Sequence, residues 1–156
     1  MLRRIVFGFV VGTLSATTAF AQAAPAPAAA AQAAPTARTF ASDAGMVLNF
    51  IKPDKTADFE AVVTKLKEAL SKSAKPERKQ QAATWKVFKS PDPAAGGNVL
   101  YVFMIDPSVK GADYTVSTIL SEAFPAEVQA LYKQYAEAYA SGQNFVNLSL
   151  VSDLGK

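Results

Sequence analysis

Residues 45–52, GMVLNFIK, read as a β-strand that is apolar on both faces, with one amide, Asn49, at its centre. Such a strand belongs in the middle of a sheet covered on both sides. An amide there needs a partner, because leaving one buried and unpaired costs about 1–3 kcal/mol. Either the strand has polar neighbours on one face, or it lines a cavity.

Outward from this stretch, Pro53 ends the strand and a helix is expected over 57–72. Thr56 suits its N-cap, Asp58 and Glu60 its first turn, and Phe59, Val62, Val63, Leu66, Ala69 and Leu70 follow the i, i+3, i+4, i+7 spacing. The basic cluster Lys72, Lys75, Arg78 and Lys79 reads as a solvated helix end, where cations complement the dipole. Residues 82–90, AATWKVFKS, mix aromatic and β-branched residues with alternating lysines, as an edge strand does. A Pro- and Gly-rich turn at 91–98 leads to VLYVFMI at 99–105, a second strand apolar on both faces. Asp106-Pro107 closes it. Two further helical stripes follow: Val116, Ile119, Leu120 and Ala123, then Val128, Leu131, Tyr132, Tyr135 and Tyr139. Pro125 separates them, so two helices should meet near Phe124. Gly142 is expected as a left-handed helix cap. Residues 144–151, NFVNLSLV, then alternate apolar and polar as a last strand.

The order is strand, helix, strand, strand, helix, strand, which predicts an α+β, ferredoxin-like βαββαβ domain. Right-handed crossovers give a four-stranded antiparallel sheet ordered 4-1-3-2, with the two all-apolar strands central. Two helices cover only one face of such a sheet. The other would be an apolar patch larger than a soluble monomer ordinarily exposes, so a second copy is expected to cover it, sheet to sheet about a two-fold axis.

The element order over residues 44–154, the run NFIKPDKTADFEAVVTKLKEAL and the segment TWKVFKS resemble the dimeric α/β-barrel proteins, whose best-known members are the antibiotic biosynthesis monooxygenases. The resemblance is one of pattern and carries no catalytic motif. It implies a homodimeric barrel. It also implies that cofactor-independent oxidation of an aromatic substrate, or degradation of haem, belongs to the family's range. A chain without His departs from the haem-degrading branch.

Composition narrows the chemistry. The chain has no Cys and no His, so the usual zinc sites, His-containing catalytic pairs and His-ligated haem are unavailable to it. No metal or cofactor is expected. Any acid or base must come from Asp, Glu, Lys or Tyr. At the N-terminus, Arg3-Arg4 precedes an apolar run ending in Ala19-Phe20-Ala21, the pattern of a cleaved signal peptide over 1–21. The run is too short and too rich in Gly, Ser and Thr for a bilayer span, which needs about 20 apolar residues. A periplasmic or secreted protein without a membrane span is expected. Residues 22–40 are an Ala/Pro-rich linker and 41–156 the domain. Removing the signal lowers the net charge from +3 to +1, with 14 basic residues against 13 acidic. No single-sign excess points to nucleic acid.

Candidate site residues follow from strand parity. Val47, Asn49 and Ile51 share one face of the first strand, and Met46, Leu48 and Phe50 the other. In the last strand Asn147 and Ser149 oppose Val146, Leu148 and Leu150. Placing the all-apolar sets under the helices gathers Asn49, Asn147 and Ser149 on the far face. There they either satisfy one another or a trapped water, or line an apolar inter-sheet pocket with Trp85 and Tyr101 as aromatic walls. The leading expectation is an exported, non-enzymatic homodimer that binds a small apolar or aromatic ligand. The alternatives are a cofactor-independent oxygenase using Asn49, Trp85 and Tyr101, and an envelope module that pairs with a different protein.

Overall fold

The computed structural model describes residues 37–155. The expected signal peptide and nearly all of the Ala/Pro-rich linker lie outside the described residues. Within them the chain forms an α+β domain: β1 (Ala44–Ile51), α1 (Thr56–Lys72), α2 (Pro76–Thr84), β2 (Trp85–Pro93), β3 (Val99–Ile105), α3 (Val116–Ala123), α4 (Val128–Ala138) and β4 (Tyr139–Leu148). The four strands make one open sheet in the order β2-β3-β1-β4, and every neighbouring pair is antiparallel. Counted from the β4 edge, that order is 4-1-3-2.

All the helices of the described residues lie on one face. Alternate β1 residues Gly45, Val47, Asn49 and Ile51 are buried beneath them, together with Tyr101, Phe103 and Ile105 of β3. Phe59 and Val62 of α1 and Ile119 and Leu120 of α3 complete a core in which Phe59 packs against Tyr101, Phe103, Tyr135 and Tyr139. An arm ahead of β1 joins this face. Phe40 stacks on Phe145 at 4.1 Å and lies so close over Gly45 that a Cβ there would fall 2.0 Å from its ring. Only glycine fits beneath it.

Several expectations are corrected. α1 begins on a 3-10 turn at Pro53–Lys55, so Thr56 is its first helical residue and not its cap. Residues 76–84 form α2, with Pro76 in its first turn, so Ala82, Ala83 and Thr84 are helical. Arg78, expected in solvent, is 3% exposed. It binds both carboxylate oxygens of Glu122 at 3.0 and 3.2 Å and the carbonyl of Asp113, which ties α2 to α3. A carboxylate within reach and a fork of donors make burial of that guanidinium tolerable. Tyr139 opens β4 and does not end α4, and Gly142 lies within the strand with no left-handed φ. β4 accordingly ends at Leu148, before Ser149.

Candidate functional site

Asn49 lies on the helix side of the sheet and is fully buried, the reverse of the expected face. Its amide is oriented without ambiguity. Both Nδ2 hydrogens go to main-chain carbonyls, of Val47 at 3.1 Å and Tyr101 at 3.2 Å. The flipped amide would set its oxygen against those same carbonyls, so Oδ1 must be the acceptor that faces away from them.

Two side chains meet that oxygen. The Tyr139 hydroxyl and Gln143 Nε2 each donate to Asn49 Oδ1 at 2.8 Å. Tyr135 adds its hydroxyl at 2.6 Å from that of Tyr139 and 2.8 Å from Gln143 Nε2. Each hydroxyl has one proton, so when Tyr139 donates to Asn49 it accepts from Tyr135. Sheet register makes this convergence possible. β1 pairs Asn49 with Gln143 and Ile51 with Tyr139, so a step of two residues along β1 is matched by a step of four along β4. Residues four apart on a regular strand are separated by about 13 Å. Here β4 bulges, and the tips of Tyr139 and Gln143 meet at 2.7 Å.

Above this network opens a cleft of about 480 Å³, between β4 on one side and α4 and the start of α3 on the other. Tyr114, Tyr132 and Phe145 supply aromatic walls, and Arg38 stands at its edge. The main chain of Arg38 is clamped to the loop before α3: its N–H donates to Asp113 Oδ1 at 2.9 Å, and its carbonyl accepts from Tyr114 N–H at 2.8 Å. Its guanidinium donates to Gln143 Oε1, linking it to the Asn49 network.

Electrostatics keep the tyrosines protonated. Burial pushes the Tyr135 phenol up to about 12. Burial, followed by the neighbouring Tyr135, raises Tyr139 further. At neutral pH both are hydrogen-bonding groups and not bases. Burial also raises Asp113, but hydrogen bonds from Thr115 and from the Arg38 N–H outweigh it and hold that carboxyl below its ordinary value.

The remaining expected site residues do not gather on the far face. Trp85 and Tyr101 lie on the helix side. Trp85 sits edge-on to Phe103 at 5.5 Å, and its buried Nε1–H has no partner among the described residues. Tyr101 donates its hydroxyl to Glu60, which also takes Lys89 Nζ at 2.9 Å. Asn147 shares Asn49's face but stands opposite Gly45, at the other end of the strand, where its Oδ1 accepts from Ala41 N–H at 2.8 Å. It fastens the arm ahead of β1. Ser149 is exposed beyond β4. The residues that do meet Asn49, namely Tyr135, Tyr139 and Gln143, were not expected in a site, although the tyrosine spacing was visible as a helical stripe.

Among the described residues the sheet's other face is bare of helices. Its rows run Lys86, Met104, Met46, Val146, then Phe88, Val102, Leu48, Asn144, then Leu100 beside Phe50. The Met46, Leu48 and Phe50 set, expected beneath the helices, is therefore on the open side. Phe88 is 53% exposed, and the other apolar side chains of these rows are half-buried.

Among the described residues no group of three His, Cys, Asp or Glu is placed to hold a metal ion, and no helix is long and apolar enough to cross a membrane. No protein-family model, curated protein or solved structure matches this chain.

Proposed function

We propose that this chain is an exported binding protein that holds a small ligand in the cleft above Asn49, and that it acts without catalysis. The observation that carries this reading is the convergence of Tyr135 of α4, Tyr139 and Gln143 of β4 and Arg38 of the N-terminal arm on one aromatic-walled cleft, with the buried Asn49 bonded to them from beneath. Its volume falls within the range of small-molecule sites, which are mostly apolar with a few placed polar groups. The expected inter-sheet site moves to the helix side, because Asn49 faces that way. Phenols held protonated by burial favour binding over base catalysis, and so count against the oxygenase reading. Thermal denaturation against a panel of small aromatic compounds tests the site. Ligands should raise the melting temperature of the wild type but not of Ala136→Trp, where an exposed residue on the cleft wall becomes a plug. A shift that survives the plug refutes the location.

A second reading concerns assembly, and the bare apolar face favours it. The domain is ferredoxin-like and pairs with a second copy through Met46, Leu48, Phe50, Phe88, Leu100, Val102 and Met104, closing an α/β barrel. A patch of this kind marks an interface, and the two edge strands would be brought together by the same contact. Sedimentation equilibrium should give twice the chain mass, and Leu48→Asp, at the centre of the face, should give a monomer with unchanged far-UV circular dichroism. A monomeric wild type would overturn the homodimer and favour a different envelope partner on the same face.

A further inference from the structure

Resting on the binding reading above, we propose that the ligand is a small organic carboxylate with a planar, aromatic body, its carboxylate held by Arg38. Among the described residues Arg38 is the only charged side chain that lines the cleft, and no Asp or Glu lines it. The guanidinium carries five N–H donors. Among the described residues its only bond is to Gln143, and it makes no ion pair. Asp113, the acid that contacts the Arg38 main chain, is turned to main-chain amides: its Oδ1 accepts from the N–H of Arg38 at 2.9 Å and of Thr115 at 2.8 Å.

The cation is also positioned. The Arg38 main chain is pinned to the loop before α3 from both its N–H and its carbonyl, and Phe40, two residues on, is buried under Phe145. A loose surface arginine would not be anchored on both sides. A carboxylate can take the forked donors of a guanidinium in parallel. Gln143 would give up that guanidinium only at Oε1, while its Nε2, with two hydrogens to share among Asn49 Oδ1 and the Tyr135 and Tyr139 hydroxyls, stays engaged. The rest of the ligand would lie against Tyr114, Tyr132 and Phe145, whose rings suit a flat body.

Calorimetry with 4-hydroxycinnamate and with its uncharged primary amide separates charge from shape. The acid should bind the purified protein about tenfold or more tightly than the amide, the difference one charge-assisted contact makes. Arg38→Gln should erase that preference, and Arg38→Lys should restore part of it, since the charge returns without the fork. Far-UV circular dichroism should be unchanged in both, because the side chain is exposed. Equal binding of acid and amide, or a preference that persists in Arg38→Gln, would overturn the carboxylate assignment and leave the binding reading standing. Failure of both compounds to bind would overturn the two together.

Discussion

Replacing Asn49 by leucine tests why an amide sits in the core at all. The two side chains share the same branching and the same number of heavy atoms, so the substitution removes hydrogen bonds without opening a cavity. The carbonyls of Val47 and Tyr101 lose a second donor. The sharper loss falls on Tyr139 and Gln143, whose bonds of 2.8 Å to Oδ1 have no replacement acceptor at that point. Two lost bonds at about 1 kcal/mol each, with some desolvation of the donors left behind, come to about 2–4 kcal/mol. The apolar gain of the leucine returns part of this, so a net cost of about 2–3 kcal/mol is expected. At roughly 4 °C per kcal/mol for a domain of this size, the melting temperature should fall by roughly 8–12 °C.

Urea denaturation gives the free energy, and a double-mutant cycle with Tyr139→Phe gives the part that belongs to the pair. Tyr139→Phe alone leaves Asn49 still accepting from Gln143 and should cost about 1 kcal/mol. The double variant should lie below the sum of the two singles by about 1 kcal/mol, since the shared bond is counted only once. Asn49→Leu within about 0.5 kcal/mol of wild type would refute the reasoning. The amide would then be kept for something other than folding, with the tyrosine and glutamine donors satisfied elsewhere.

Two other predictions concern charge. Arg78→Met leaves Glu122 with Lys75 as its ion-pair partner and should cost about 3 kcal/mol by urea denaturation, while adding Glu122→Leu should recover most of it. The hydrogen bond from Arg78 holds the Glu122 carboxyl below its ordinary 4.5, so its stabilising effect is full above that value and is lost as pH falls through the depressed one. Wild type should therefore lose stability in acid more steeply than Arg78→Met. Alkali acts through the phenols: the unfolded chain ionises tyrosine near 10, whereas folded Tyr135 holds its proton to about 12. Stability should decline above pH 10, and absorbance at the phenolate band should rise together with unfolding for Tyr135 and Tyr139 and not before it.

How much could be read in advance divides along a physical line. The all-apolar strands at β1 and β3, the α1 stripe and the break at Phe124 rest on local period and turn chemistry, and the structure has each of them within a few residues. Facing is another matter. In β1 both parity sets are apolar apart from Asn49, so hydrophobicity alone cannot say which set the helices cover. The usual preference for apolar residues beneath helices then pointed the wrong way. Tyr135, Tyr139 and Gln143 decide it, because they bring the hydroxyls and the amide that let a buried Asn49 be satisfied. Their approach depends on where α4 stops. A stripe at 132, 135 and 139 looks like one helical face, yet the chain turns extended at Tyr139 and bulges before Gln143, and periodicity gives no sign of either event. Arg78 failed for the same reason: a cation after a helix reads as solvated until a carboxylate 44 residues away is brought beside it. In both cases the polar group's own identity was visible and its partner was not. A lone amide in an apolar strand is thus evidence of a partner elsewhere in the chain, and here the partners it required are the ones that floor the cleft.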